Sequence, residues 1–326
     1  MRVPTLRYAL LSLSAALALS ACHGRDDPSR PGGSTPASAV QSSIELIKAG
    51  NFNGLCKHAL PPADYATLRA DWTTRQQWHP PVTEQDRARF DDAMRQLTAP
   101  DAENTLYAQL QPKLAAIESK YDDQIPVLIR VGEAMLKNAV TQNLGLGAEQ
   151  KAQADAALDA LVPWVQRAPW FDPAKTRRAV GIAVATARKL DLHSADQLRA
   201  MDFDASMSKY AIGYAGLKQL LANYGLSVDD ALDSIKVTPL ENHNGHARVR
   251  IDYILQGKPL SSEVTLVQLD QRWYIAALID SMREAHARLT PASGAASVPA
   301  RHGIAAVGTA SSGSSPAKDR TPQPLQ

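Results

Sequence analysis

The side chains best able to do chemistry are few and scattered. His243 and His246 stand three residues apart across Asn244-Gly245, the nearest approach to a metal-binding pair in the chain. Zinc wants three or four convergent ligands with supporting partners. Glu241 would be the third, while a solvated hairpin turn explains the same residues without a metal. The carboxylate pairs Asp91-Asp92, Asp122-Asp123 and Asp229-Asp230 are adjacent in sequence. On a helix such neighbours diverge by about 100°, so helix-start charge accounts for them better than shared acid–base work. The chain has no Gly-x-Ser-x-Gly elbow, His-Glu-x-x-His helix, Cys-x-x-Cys pair or Gly-Lys-Ser/Thr phosphate loop. The sequence therefore assigns no catalytic residue, metal or cofactor, and the balance lies against an enzyme.

Aromatic residues form two clusters. One holds Trp72, Trp78 and His79-Pro80-Pro81; the other holds Trp164, Pro169, Trp170 and Phe171. Filler at proline-rich helix junctions is the plain reading. The sharper one makes Trp164, Trp170 and Phe171 a partner-contact anchor, because aromatics are enriched at binding hot spots. Gly213 and Gly216, among Tyr210, Ala211, Tyr214 and Ala215, point to close helix packing.

The amino terminus carries the most specific motif. Arg2 and Arg7 precede an apolar run from Tyr8 to Leu19, which is shorter than the ~20 residues of a spanning helix. A charged start, a short apolar core and small residues before a break form a secretory signal. The residues Leu19-Ser20-Ala21-Cys22 resemble the bacterial lipobox. The resemblance implies diacylglyceryl transfer to the Cys22 sulfur, cleavage after Ala21, and usually acylation of the new amino group. Two or more acyl chains give stable anchoring where one does not. His23 follows, not the Asp that favours inner-membrane retention in enterobacterial lipoproteins, so the resemblance implies the periplasmic face of the outer membrane. A lipid-bearing Cys22 cannot form a disulfide, which leaves Cys56 alone in an oxidising compartment. Cys56 then reads as a small buried hydrophobe, with an intermolecular disulfide or a reactive thiol as the alternatives.

The formal charge of +2 includes Arg2 and Arg7, so the chain after cleavage sits near zero (+2 − 2). Nothing in that balance suggests nucleic-acid binding, which shows a concentrated basic footprint. Residues 22–38, rich in Pro, Gly, Ser and Asp, read as a flexible tether. Residues 290–326, rich in Ala, Ser, Gly, Pro and Thr, read as a disordered tail.

Between them, the elements that must position any site change period once. Residues 39–235 read as helices: Val40, Ile44 and Ile47 share one face, and Gly50 closes that segment. Leu128, Val131, Met135 and Leu136 form an expected buried stripe between Ile125 and Val140. Asp172-Pro173 opens a helix with Val180, Val184 and Ala187 on one face. Residues 236–289 read as a sheet region packed on the helices. Its four strands form an antiparallel meander with turns at Asn244-Gly245, Gln256-Gly257 and Asp270-Gln271, and Val249, Ile251, Tyr253 and Leu255 share one face. The expected class is α+β, a mostly helical body followed by a C-terminal four-stranded antiparallel meander.

The segment Ile44-Glu-Leu-Ile-Lys-Ala-Gly-Asn-Phe52, with the terminal Leu269-Asp-Gln-Arg-Trp273-Tyr-Ile275, is similar to the start and end of small secreted NTF2-like domains. That resemblance implies a first helix and a curved sheet enclosing a cone-shaped cavity, and it carries no site residue. The leading functional expectation is a lipid-anchored envelope protein that binds a protein partner without catalysis, as an assembly factor, scaffold or inhibitor. A pocketed module for an apolar or envelope-derived ligand comes next, and an envelope enzyme last.

Overall fold

The computed structural model describes residues 26–78, 80–143 and 145–290. The expected signal segment 1–21, Cys22, His79 and the expected tail beyond Thr290 lie outside the described residues. The first helix, α1 (Pro36–Ala49), starts where local chemistry dictates: Thr35 and Ser38 exchange backbone-to-side-chain hydrogen bonds, and Pro36 sits in the first turn. Gly50 ends it in the left-handed conformation at φ 67°. Helices α2 (Phe52–Ala59), α3 (Pro62–Trp78), α4 (Glu84–Thr98) and α5 (Ala102–Tyr121) follow. A short 3-10 turn (Asp122–Gln124) leads into α6 (Ile125–Gln142). Then come α7 (Ala148–Arg167), α8 (Pro173–Leu190), α9 (Ala195–Ala200), α10 (Phe203–Asn223) and α11 (Val228–Asp233). Helix α7 runs through Pro163 without ending there.

The sheet follows in the order β1 (Lys236–His243), β2 (His246–Leu255), β3 (Lys258–Leu269) and β4 (Arg272–Ile275), each strand antiparallel to its neighbour. All three connections are two-residue turns with positive φ at both positions: Asn244 and Gly245, Gln256 and Gly257, Asp270 and Gln271. Such turns match the right-handed twist of the strands they join. The period of two then sorts the side chains. Ala247, Val249, Leu266 and Trp273 face Ala39 and Val40 of α1, and Val249 and Leu266 are fully covered. Tyr274, Val267 and Leu269 face the other way, toward Leu60, Ile279 and Met282. The architecture is thus the expected α+β, with the meander complete.

The surroundings of the sheet differ from expectation in three places. Residues 26–35 are not a free tether. Gly33 pairs with Trp273 through two backbone hydrogen bonds of 2.8 and 2.9 Å, and Gly32 donates to the His58 carbonyl at 2.7 Å. Arg272 holds the Pro31 carbonyl at 2.9 Å, and Ser38 donates to Asp26 at 2.6 Å. The glycines serve close approach here, since a Cβ on Gly33 would stand 2.2 Å from the Ala39 nitrogen. Second, the end of the sheet region is helical. Helix α12 (Ala276–Leu289) turns back over the sheet and buries Ile279 and Met282. Third, the stripe on α6 is not buried, as described below.

Elsewhere the helices pack on one another. Ala102, Val180 and Val184 make a separate core between α5 and α8. Helices α8 and α10 approach closely at Gly216, where a Cβ would lie 2.3 Å from the Thr186 hydroxyl. No helix among the described residues is long and apolar enough to cross a membrane.

Candidate functional site

The titratable groups singled out by sequence do not converge. His243 and His246 face each other across the end of the first hairpin, both exposed, and Glu241 is engaged by Arg248 at 2.7 Å. Among the described residues no three His, Cys, Asp or Glu side chains gather around a common point. Asp229 is held by Lys218 at 2.7 Å, and Asp91 and Asp92 lie on the exposed side of α4. The buried polar groups have structural partners instead. His58, 1% exposed, places Nδ1 at 2.9 Å from the Arg30 carbonyl and Nε2 at 3.1 Å from that of Ala39, locking residues 26–35 to α1. Asp71 of α3 meets His286 of α12 at 2.9 Å.

The aromatic anchor expected at Trp164, Trp170 and Phe171 is folded in on the chain. The Trp164 indole donates to the Tyr224 carbonyl at 2.8 Å, and that of Trp170 donates to Val165 at 2.7 Å. Their rings meet edge to face at 5.3 Å, and Trp170 lies 4.7 Å from the Tyr224 ring. These contacts clasp the end of α7 to the end of α10. Phe171, half-buried, faces a small hollow of about 180 Å3 beside α5.

Two further features stand out. The first is an open groove of about 940 Å3 between α2, α3, α9 and α10. Phe52, Leu55 and Cys56 of α2 form one wall, and Trp72 of α3 another. Met207, Tyr210, Gly213 and Tyr214 of α10 form the long side, and Leu192 and Leu198 close the far edge. The walls are fixed from behind. Phe52 and Tyr214 pack edge to face at 5.4 Å, as do Trp72 and Phe203 at 5.5 Å. The Trp72 indole donates to the Met201 carbonyl at 3.1 Å, and Arg69 grips Asp204 through two 2.6 Å hydrogen bonds. Burial pushes the Cys56 thiol above its ordinary value, which disfavours the thiolate. Cys56, the one cysteine among the described residues, is half-buried in a groove wall and not in the core.

The second feature is α6, none of whose residues is buried. At 100° per residue, Val127, Leu128, Val131 and Met135 fall within an arc of about 100°. Their exposures run from 51% for Val131 to 68% for Met135. The charged residues lie on another side. Lys137 is paired with Glu133 at 2.9 Å and reaches Asp159 of α7 at 2.6 Å. Helix α6 thus turns Glu133 and Lys137 toward α7 and its apolar side chains outward, while Arg130 stays exposed.

Set against known protein families, curated proteins and solved structures, the chain matches none.

The sequence did not reveal the groove, because its walls come from residues as far apart as 52 and 214. One local signal bears on it. Gly213 was grouped with Gly216 as a packing glycine, yet a Cβ at Gly213 would meet nothing within 4 Å, whereas Gly216 is tightly packed. The cavity implied by the NTF2-like resemblance would lie between α1 and the sheet. There Val40, Ala247, Val249, Leu266 and Trp273 pack together, a half-polar hollow of about 770 Å3 lies at the edge between α1, α11 and β1, and the apolar groove of about 940 Å3 lies among helices.

Proposed function

We propose that the chain is a lipid-anchored protein of the cell envelope that docks a partner protein through the outer face of α6 and catalyses nothing. The observation that carries this reading is the charge-free apolar face of Val127, Leu128, Val131 and Met135. Contiguous exposed apolar patches mark interaction sites on soluble proteins, and interface centres are depleted in charge and enriched in methionine. A helix lying in a lipid surface would carry a strongly basic polar side and aromatic residues. Helix α6 has neither: its sequence contains no aromatic, and its two cations are accompanied by Glu133.

The anchor is Cys22, exposed as the first residue by cleavage after Ala21, on the periplasmic face of the outer membrane. Residues 26–35 are bound to β4 and its neighbours, so only residues 23–25 separate the lipid-bearing Cys22 from the folded body. At ~3.5 Å per residue the body is held within ~15 Å of its anchor, which confines partners to those at the membrane surface.

A photo-crosslinking amino acid placed at Val131 or Met135 in the native cell tests the proposal. The same envelope protein should be captured from both positions and not from Glu284 on α12, and Val127→Glu should abolish capture. Adducts only of the chain with itself, or none at all, would refute the partner reading. Release of the Cys22→Ser variant from the membrane fraction tests the anchor separately.

A further inference from the structure

We infer that the groove between α2, α3 and α10 is a binding site for a single-chain anionic amphiphile, an acyl chain bearing a carboxylate or phosphate head. The inference is independent of the α6 proposal and concerns a different surface. Three observations carry it. First, the hollow is preformed and apolar, within the ~300–1,000 Å3 range of small-molecule sites. Phe52, Leu55, Leu198, Met207 and Tyr210 line an elongated trough, and Leu198 and Tyr210 remain 43% and 53% exposed, so that apolar surface faces water.

Second, the charge at the groove is of one sign. Arg75, Lys209 and Arg199 are among its lining residues and no Asp or Glu is, although the whole chain has only a slight formal excess of positive charge. Arg199 is held in place by the Gln76 carbonyl at 3.2 Å and the Pro80 carbonyl. Arg75 and Lys209 have no hydrogen bond or ion pair among the described residues and are half-buried. Cations beside an apolar trough select an anionic head over a neutral or cationic one.

Third, Gly213 lies well inside α10 (Phe203–Asn223), where glycine weakens a helix, yet no neighbouring atom requires the missing side chain. Gly216, three residues on, is accounted for by its contact with Thr186. What the bare backbone at Gly213 does is keep the trough open. A headgroup at Arg75 and Lys209 would leave the acyl chain to lie along the apolar walls.

The test uses the chain from residue 22 onward carrying Cys22→Ser, stripped of bound lipid, so that no acyl group of its own competes. Dansyl-undecanoate is the fluorescent probe, and palmitate, dodecyl phosphate and dodecyl maltoside are the competitors. The probe should bind and be displaced by palmitate and dodecyl phosphate, with the neutral maltoside clearly weaker. The ranking of the first two shows whether carboxylate or phosphate is the better head. Gly213→Leu should weaken probe binding by about tenfold or more by filling the trough, while leaving the helical circular dichroism intact. Gly213→Ala, the milder variant, should weaken it less and raise the melting temperature. Arg75→Gln with Lys209→Gln should weaken the anionic ligands by about fivefold and leave the maltoside unchanged. Bound probe should also protect Cys56 from maleimide. No binding, full binding by a folded Gly213→Leu variant, or equal affinity for all three heads would overturn the inference.

Discussion

The sheet with its two covering helices and the arm formed by α6 present the same kind of apolar pattern with opposite outcomes. Val249 and Leu266 in the sheet are wholly withdrawn from water, while Met135 on α6, equally apolar, is 68% exposed. The sheet is covered because α1 and α12 close on it from both sides. Helix α6 packs chiefly on α7, tied there by Lys137 and Asp159, and its apolar face stays exposed among the described residues. Periodicity identifies an apolar face; it does not say which surface will cover it. In one region the cover is intramolecular, and in the other no described residue supplies it.

The widest separation between the two regions should appear in single truncations. Leu266→Ala removes a fully covered side chain and should lower unfolding free energy by about 2–5 kcal/mol in urea titration. Val131→Ala on α6 should stay within about 0.5 kcal/mol of the parent. A loss near 2 kcal/mol at Val131 would mean that its face is core after all. The strap of residues 26–35 sharpens the comparison from the sheet side. Gly33→Val drives a side chain into the Ala39 backbone, and a loss of about 1–3 kcal/mol is expected, with faster exchange of the Trp273 amide.

Smaller again is Met135→Glu, which should leave the melting temperature nearly unchanged while removing partner crosslinks. The smallest effect expected is electrostatic. Hydrogen bonds from Arg69 hold the Asp204 carboxyl below its ordinary range. A lowered folded-state value contributes stability that is present above the unfolded value near ~3.9 and is lost as pH falls through the folded one. The gap between the parent and Asp204→Asn should therefore be largest at neutral pH, close on acidification through that window, and narrow with added salt. A gap independent of pH would show that Asp204 acts through packing alone.

Much of the fold was legible because its signals are local. Asn244-Gly245 and the alternation from Ala247 to Leu255 set the first hairpin, and Asp172-Pro173 set the start of α8. The failures share a cause. Gly32 and Gly33 looked like linker residues because flexibility and close approach have the same composition, and only the position of Trp273 distinguishes them. Trp164 and Trp170 were open to an anchor role until Tyr224 and Val165 supplied acceptors for their indole N–H groups.

By itself the sequence determined the helical body and the four strands, though not the closing helix α12, together with the three tight turns and the lipobox resemblance at Cys22. Each depends on residues within a few positions of one another, where backbone sterics and capping act. The tertiary structure alone decided that Gly213 opens a groove while Gly216 closes a contact. It also decided that Arg75 and Lys209 share a rim, and that the stripe on α6 faces outward. Those outcomes depend on which surfaces meet between segments from tens of residues to more than a hundred apart, and burial free energy has no direction until the partner surface is in place.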